Sequence, residues 1–209
     1  MVSRSSFLPL RTEDALEILR EVLPSIPEYC RIIRIQRDIP STKILAGVKK
    51  TNLRQDLEKI PCRDIRAREV GHYFRVHKRL PSSVEFVIRE YASSEGKEFF
   101  LSLEDLKEDV LVGYCRLRFP SQFLRKEITE ESALIRELHI FSEALSLGEK
   151  KEESLQHKGH GSFLLKKAEE LCRTHGKKKV VVISGIGVRE YYRKKHAYSL
   201  EGPYMIKEL

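Results

Sequence analysis

Nowhere in its 209 residues does the chain approach the roughly 18 to 20 consecutive apolar residues that a membrane-crossing helix needs. The first residues also lack the hydrophobic stretch of a secretory leader, so a cytoplasmic protein with no membrane partner is expected. The four cysteines, Cys30, Cys62, Cys115 and Cys172, are far apart. They form no C-x-x-C metal pair and no evident disulfide framework, which leaves reduced and mostly buried thiols as the expectation. There is no internal repeat and no low-complexity tract. With those classes set aside, 41% hydrophobic and 33% charged residues fit one substantial globular domain with a smaller annex.

Acidic residues are scarce in one place. Residues 31–79 hold 14 Lys and Arg against 5 Asp and Glu, whereas residues 80–209 are nearly balanced. The formal net charge of +8 therefore resides in about a quarter of the chain. A solvated basic face explains such a segment, and so does a polyanionic partner.

From Thr12, Glu13 and Asp14 occupy a first turn and Ala15, Leu16, Leu19, Val22 and Leu23 recur at helical spacing until Pro24. Residues 31–36 read as a strand, 49–60 as a second helical stretch ending at Pro61, and 62–71 as an extended arm. Beyond Pro81, residues 84–91 and 97–103 form two strands about a turn at 93–96, and Val110–Phe119 forms a third. Ala133–Phe141 is a fourth strand.

A polar loop with two glycines, Gln156-His157-Lys158-Gly159-His160-Gly161, then runs into an amphipathic helix. Leu164, Ala168, Leu171 and His175 lie on one stripe of it. Val180–Ile183 follows as a strand, so strand, loop, helix and strand make a right-handed βαβ crossover with its two strands parallel. A short helix at 188–195 and a final strand at 198–206, broken by Gly202-Pro203, complete the chain. Glycines ahead of a helix N-terminus let backbone N–H groups approach an anion, although such loops more often simply turn the chain.

Taken together, these segments resemble one family. Residues 34–40, Asn52-Leu53-Arg54, 62–71, Arg136-Glu137-Leu138-His139, 156–161 and 182–194, with the ending Gly202-Pro203-Tyr204-Met205, resemble the C-terminal acetyltransferase half of the Elongator catalytic subunit, in that order. The resemblance implies a GNAT-type mixed α/β sheet with flanking helices, preceded by a small basic α/β segment like the tail of a radical-SAM barrel. It places the boundary between a basic segment, 1–75, and an acetyltransferase domain, 76–209. The implied donor is acetyl-CoA and the implied activity is acyl transfer in wobble-uridine modification of tRNA. The implied partners are tRNA and a separate radical-SAM subunit or other Elongator-like protein.

The chain departs from that family in lacking the cluster-binding cysteine motif, so no iron–sulfur cluster is expected. Zinc is not expected either, since positions that hold three cysteines in some members read Cys62, Asp64 and Ala67. The turn Lys194-Lys195-His196-Ala197-Tyr198 is about one residue longer than the family's lysine–x–glycine–tyrosine turn and lacks its glycine.

By the same resemblance, the backbone of His157, Lys158, Gly159, His160, Gly161 and Ser162 receives the pyrophosphate, flanked by Gln156 and Lys158. Exposed backbone at Leu138, His139 and Ile140 receives the pantetheine. Glu137 and His139, two apart on a strand and so on one face, are candidates for proton transfer. Tyr191 and Tyr192 are candidates for the coenzyme contact and for protonating the sulfur, and about 100° of helix rotation between them lets at most one face it squarely. Arg37, Lys43, Lys49, Lys50, Arg54, Arg63, Arg66 and Arg68 are the candidate RNA contacts. Two other readings remain: an N-acetyltransferase for protein lysine or a small amine, and a non-catalytic module binding RNA or protein.

Overall fold

The computed structural model describes residues 8–35, 39–141 and 159–209. It divides into two units, Met1–Arg68 and Glu69–Leu209. The division falls ahead of residue 75 because Val70–His77 forms a helix that packs on the third strand of the second unit.

In the first unit, helix α1 spans Thr12–Val22. Its cap is Arg11, one residue earlier than Thr12, and the Asp14 carboxylate accepts hydrogen bonds from the Arg11 backbone and guanidinium. Ala15 packs with Val48 and Leu53 in a small core. The expected strands at 31–36 and 62–71 do not form among the described residues, and the helical stretch at 49–60 shrinks to a 3-10 turn over Leu53–Leu57.

One fully buried carboxylate accounts for the two missing strands. Asp64 accepts hydrogen bonds from the backbone N–H of Ile32, Arg66 and Ala67 and from the Arg54 guanidinium. The main chain there is satisfied by a side chain, where a strand ladder would otherwise be needed.

The second unit contains α2 (Val70–His77) and a seven-stranded sheet: β1 (Glu85–Ser93), β2 (Gly96–Asp105), β3 (Val110–Phe119), β4 (Ser132–Ile140), β5 (Lys179–Val182), β6 (Ser199–Glu201) and β7 (Tyr204–Glu208). The strand order is β1-β2-β3-β4-β5-β7-β6. Only β4 and β5 pair in parallel, as expected for a βαβ crossover, and the final strand is a β6–β7 hairpin. Helix α3 (His160–Thr174) crosses over, and α4 (Arg189–His196) follows β5.

Helix α3 buries Leu164, Leu165, Ala168, Glu169 and Cys172. This face is rotated from the expected stripe: His175 is exposed, and Glu169 is drawn inside by the Tyr198 hydroxyl and the Lys207 ammonium. Cys115 and Cys172 are buried free thiols, while Cys30 and Cys62 are half-buried. Burial pushes the Cys172 thiol up to about 12, which keeps it protonated and unreactive. No described helix is long and apolar enough to cross a membrane.

Candidate active site

The site begins with an irregularity in β4. Arg116 of β3 pairs with Glu137 and Leu117 pairs with Ile135, so Arg136 is an extra residue bulged out of the ladder. Its guanidinium is drawn to the Glu98 carboxylate, 2.7 Å away. Side chains alternate along a strand, so this one residue shifts the phase of everything after it. Leu138 and Ile140 consequently lie on the α3 face and are half-buried, while Glu137 and His139 share the opposite face and are exposed.

The parallel pairing of β4 with β5 stops at Ile135 and Val182, with one further bond from the Ile183 N–H to the Ile135 carbonyl. Beyond it, residues 136–140 continue without β5. One backbone edge is thereby left for a ligand, at the three positions expected to receive pantetheine.

The α3 N-terminus lies beside this edge. Gly159 takes the left-handed conformation (φ 77°), and no side chain among the described residues caps the helix. The first helical bond runs from the Phe163 N–H to the Gly159 carbonyl, so the N–H groups of residues 160 to 162 are donors outside the helix ladder. A Cβ on Gly159 would meet nothing within 4 Å, whereas one on Gly161 would lie 3.2 Å from the Tyr191 hydroxyl and 3.7 Å from Ile140 Cγ1. The second glycine thus lets α3, β4 and α4 converge. Gln156, His157 and Lys158 lie outside the described residues, as does Arg37.

The two tyrosines divide. Tyr192 is buried, its ring against Tyr198, and burial pushes its phenol well above the ordinary value. It therefore belongs to the packing of α4 on the sheet. Tyr191 is half-buried at the convergence point, where its hydroxyl lies 3.3 Å from Ser162 Oγ. His196, at the end of α4, lies with Nε2 3.2 Å from the same Oγ.

On the other face, the Glu137 carboxylate accepts from the Tyr114 hydroxyl at 2.8 Å and from Arg116 Nε at 3.0 Å. The Arg116 guanidinium also spans the Phe100 and Tyr114 rings and donates to the Tyr91 hydroxyl. His139 stacks on Tyr114 and packs edge-on against Phe141. The candidates thus form two groups, Tyr191 with Ser162 and His196, and Glu137 with His139 and Tyr114. Sequence reasoning missed Tyr114, Arg116 and the side chains of Ser162 and His196. The lengthened turn at 194–198 was the available signal for His196.

Among the basic candidates, Arg54 donates to Asp64 and the Ile32 carbonyl, Arg66 to the Ile33 carbonyl, Arg63 pairs with Glu28 and Lys50 with Asp56. Arg68 is buried, whereas Lys43 and Lys49 are exposed. No described group of His, Cys, Asp and Glu is arranged to hold a metal ion.

Residues 63–198 match the family model described as Acetyltransferase (GNAT) family. The chain belongs to that family. Residues 1–61 match the Radical_SAM C-terminal domain. This GNAT chain is 45% identical over 219 residues to the tRNA uridine(34) acetyltransferase of Methanocaldococcus infernus, covering 100% of this chain and 41% of the relative. It is 41% identical over 205 residues to Elongator complex protein 3 of Homo sapiens, covering 94% of this chain and 37% of that protein.

Among solved structures, the archaeal Methanocaldococcus infernus Elp3 with an N-terminal deletion (1–46) superposes with a TM-score of 0.88 at 45% identity, covering 99% of this chain and 50% of that one. The chain spans about two fifths of the length of the curated relatives it matches. The donor in the GNAT family is acetyl-CoA. The uncapped α3 N-terminus and the β4 edge left by β5 fit a pyrophosphate and an amide-bearing arm respectively.

Proposed function

We propose that this chain is the acetyl-CoA-binding, acetyl-transferring half of an enzyme that modifies the wobble uridine of tRNA. The observation that carries the reading is the convergence of the β4 edge, the α3 N-terminus and the Tyr191 hydroxyl around Gly161. The names of the relatives support the tRNA half of the reading, and so does the basic segment at 31–79. A cytoplasmic setting and a radical-SAM partner, in cis or in trans, belong to the same proposal.

Bound acetyl-CoA supplies an activated acetyl group. The N–H groups of residues 160 to 162 hold its phosphates, aided by the positive end of the α3 dipole. Backbone at 138–140 aligns its arm, and an N–H there polarises the thioester carbonyl. Tyr191 gives its hydroxyl proton to the departing sulfur, while Tyr192 holds α4 in place. Glu137, oriented by Tyr114 and Arg116, and His139 beside it serve the acceptor as proton-transfer groups on the opposite face. Lys43 and Lys49, two of the exposed cations among the basic candidates, contribute phosphate contacts to tRNA.

The test is release of coenzyme A from acetyl-CoA with and without tRNA, beside calorimetric titration of each. Release that rises with tRNA and falls about 100-fold in Tyr191→Phe is expected. Acetylation of a lysine peptide or polyamine without any tRNA effect would replace the RNA part of the reading. Binding of tRNA with no binding of acetyl-CoA would reduce the chain to a binding module.

A further inference from the structure

Tyr191, Ser162 and His196 are joined by two hydrogen bonds at a single oxygen. Ser162 Oγ lies 3.3 Å from the Tyr191 hydroxyl and 3.2 Å from His196 Nε2, and the Tyr191 and His196 rings pack with centroids 4.8 Å apart. The three come from two elements: Ser162 from the first turn of α3, the others from the first and last turns of α4. His196 is half-buried, so the residue is not sealed from water. A tyrosine that has given up its proton between packed helices needs a route by which to regain one. We propose that Ser162 and His196 form that route, a relay that returns a proton to Tyr191 after it has protonated the coenzyme A sulfur. The proposal rests on Tyr191 being the acid.

The transfers balance without any electron exchange. Tyr191 gives its hydroxyl proton to the leaving sulfur on cleavage of the carbon–sulfur bond. It takes the Ser162 hydroxyl proton, Ser162 takes the Nε2 proton of His196, and His196 takes a proton from water at Nδ1. One proton passes from solvent to sulfur, the acceptor gives one back to solvent, and His196 changes tautomer, which exchange of its ring protons with water reverses before the next turnover.

The surroundings favour the neutral ring this requires. Burial holds the His196 imidazolium below its ordinary value; Glu169 of α3 opposes this, and Lys207 of β7 and Lys195 of α4 add to it. A neutral imidazole can give at one nitrogen while it takes at the other, which an imidazolium cannot. The Ser162 hydroxyl meets Tyr191 and His196 while only its backbone N–H is assigned to the donor, so the Ser162 side chain and His196 act as positioning and relay groups.

The experiment has two arms on the full chain. In the first, nitrogen NMR of the ligand-free protein follows the His196 ring. Ser162→Ala should alter its tautomer ratio and its titration midpoint, and Ser162→Thr, which keeps the hydroxyl, should restore both. A His196 signal indifferent to Ser162→Ala overturns the relay.

In the second arm, coenzyme A release with tRNA is measured in mixtures of light and heavy water. Wild type should give a curved dependence on deuterium fraction, as several protons move in the step that restores Tyr191 and limits turnover. Ser162→Ala and His196→Gln should release coenzyme A about tenfold more slowly with a straight dependence, the coenzyme A affinity of His196→Gln staying within twofold of wild type, and added imidazole should rescue His196→Ala. If Tyr191→Phe slows release but these variants do not, the relay fails while the acid assignment stands. If Tyr191→Phe is indifferent, the acid assignment fails and takes the relay with it.

Discussion

A Cβ added at Gly113 tests whether the open end of β4 is held where a ligand needs it. Gly113 sits in β3 opposite Ile140. The new carbon would lie 2.5 Å from Ile140 Cδ1, 2.9 Å from the His139 carbonyl oxygen and 3.2 Å from Ile140 Cα. The side-chain conflict can be relieved by rotation about a χ angle. The conflict with the carbonyl cannot, because that oxygen is main chain, so β4 must retreat at residues 139 and 140.

Overpacking of this kind costs typically about 1–3 kcal/mol. At about 2–4 °C per kcal/mol for a chain of this size, Gly113→Ala should lower the Tm by roughly 2–12 °C in scanning calorimetry. Coenzyme A affinity should fall with it, because the displaced backbone is the edge assigned to pantetheine. Adding Ile140→Val removes the Cδ1 conflict alone and should recover less than half of the lost stability. A Gly113→Ala protein within about 0.5 kcal/mol of wild type, or full recovery in the double variant, would refute the claim that main-chain position is the constraint.

Other substitutions probe separate parts of the molecule. Glu169→Ala leaves the Tyr198 hydroxyl and the partly buried Lys207 ammonium without their shared acceptor and should cost about 3–5 kcal/mol, measured by urea unfolding; a loss below about 1 kcal/mol would show that water replaces the carboxylate. Ala197 ends α4 in the left-handed conformation (φ 58°, ψ 37°), so Ala197→Gly should raise stability by about 0.5–1 kcal/mol in the same assay, and a decrease would contradict the strain. Asp105 is disfavoured by burial, but backbone N–H donors at Ser83, Glu108 and Lys107 outweigh that and lower its pKa from 3.8. Its stabilisation is therefore present above that unfolded value and is lost as pH falls through the folded one, so Asp105→Asn should flatten acid unfolding below about pH 4; an unchanged slope would sink the assignment.

The second unit was largely legible because its signals are local. Apolar strand segments about the turn at 93–96, followed by Val110–Phe119, specify the meander, and the glycine loop followed by an amphipathic stretch specifies the crossover. The first unit was read wrongly where the organising bonds are distant in sequence: Asp64 satisfies the main chain of Ile32, and no pattern at 31–36 announces that. Helix α2 was missed because the arginine-rich run before Val70 was read on into it as an extended arm. At the site, the glycines and tyrosines could be found by resemblance. The pairing of Ser162 with His196 could not, since it depends on how the end of α4 returns to the start of α3.

The extra residue at Arg136 acts on β4 much as a single inserted base acts on a coding strand. Upstream of it the frame puts Leu134 with Ile128, Val181 and Ile206 in a cluster; downstream the same face carries Glu137 and His139. Were Arg136 to take Glu137's place opposite Arg116 in a regular ladder, the last four residues would exchange faces, turning Glu137 and His139 toward α3 and Leu138 and Ile140 away from it; deleting 136 would only regularise the ladder and leave both faces as they are. Substitutions along 137–140 change one group at a time. The bulge decides which side of the molecule every later group addresses, so the pairing of this strand, as much as its composition, encodes the active site.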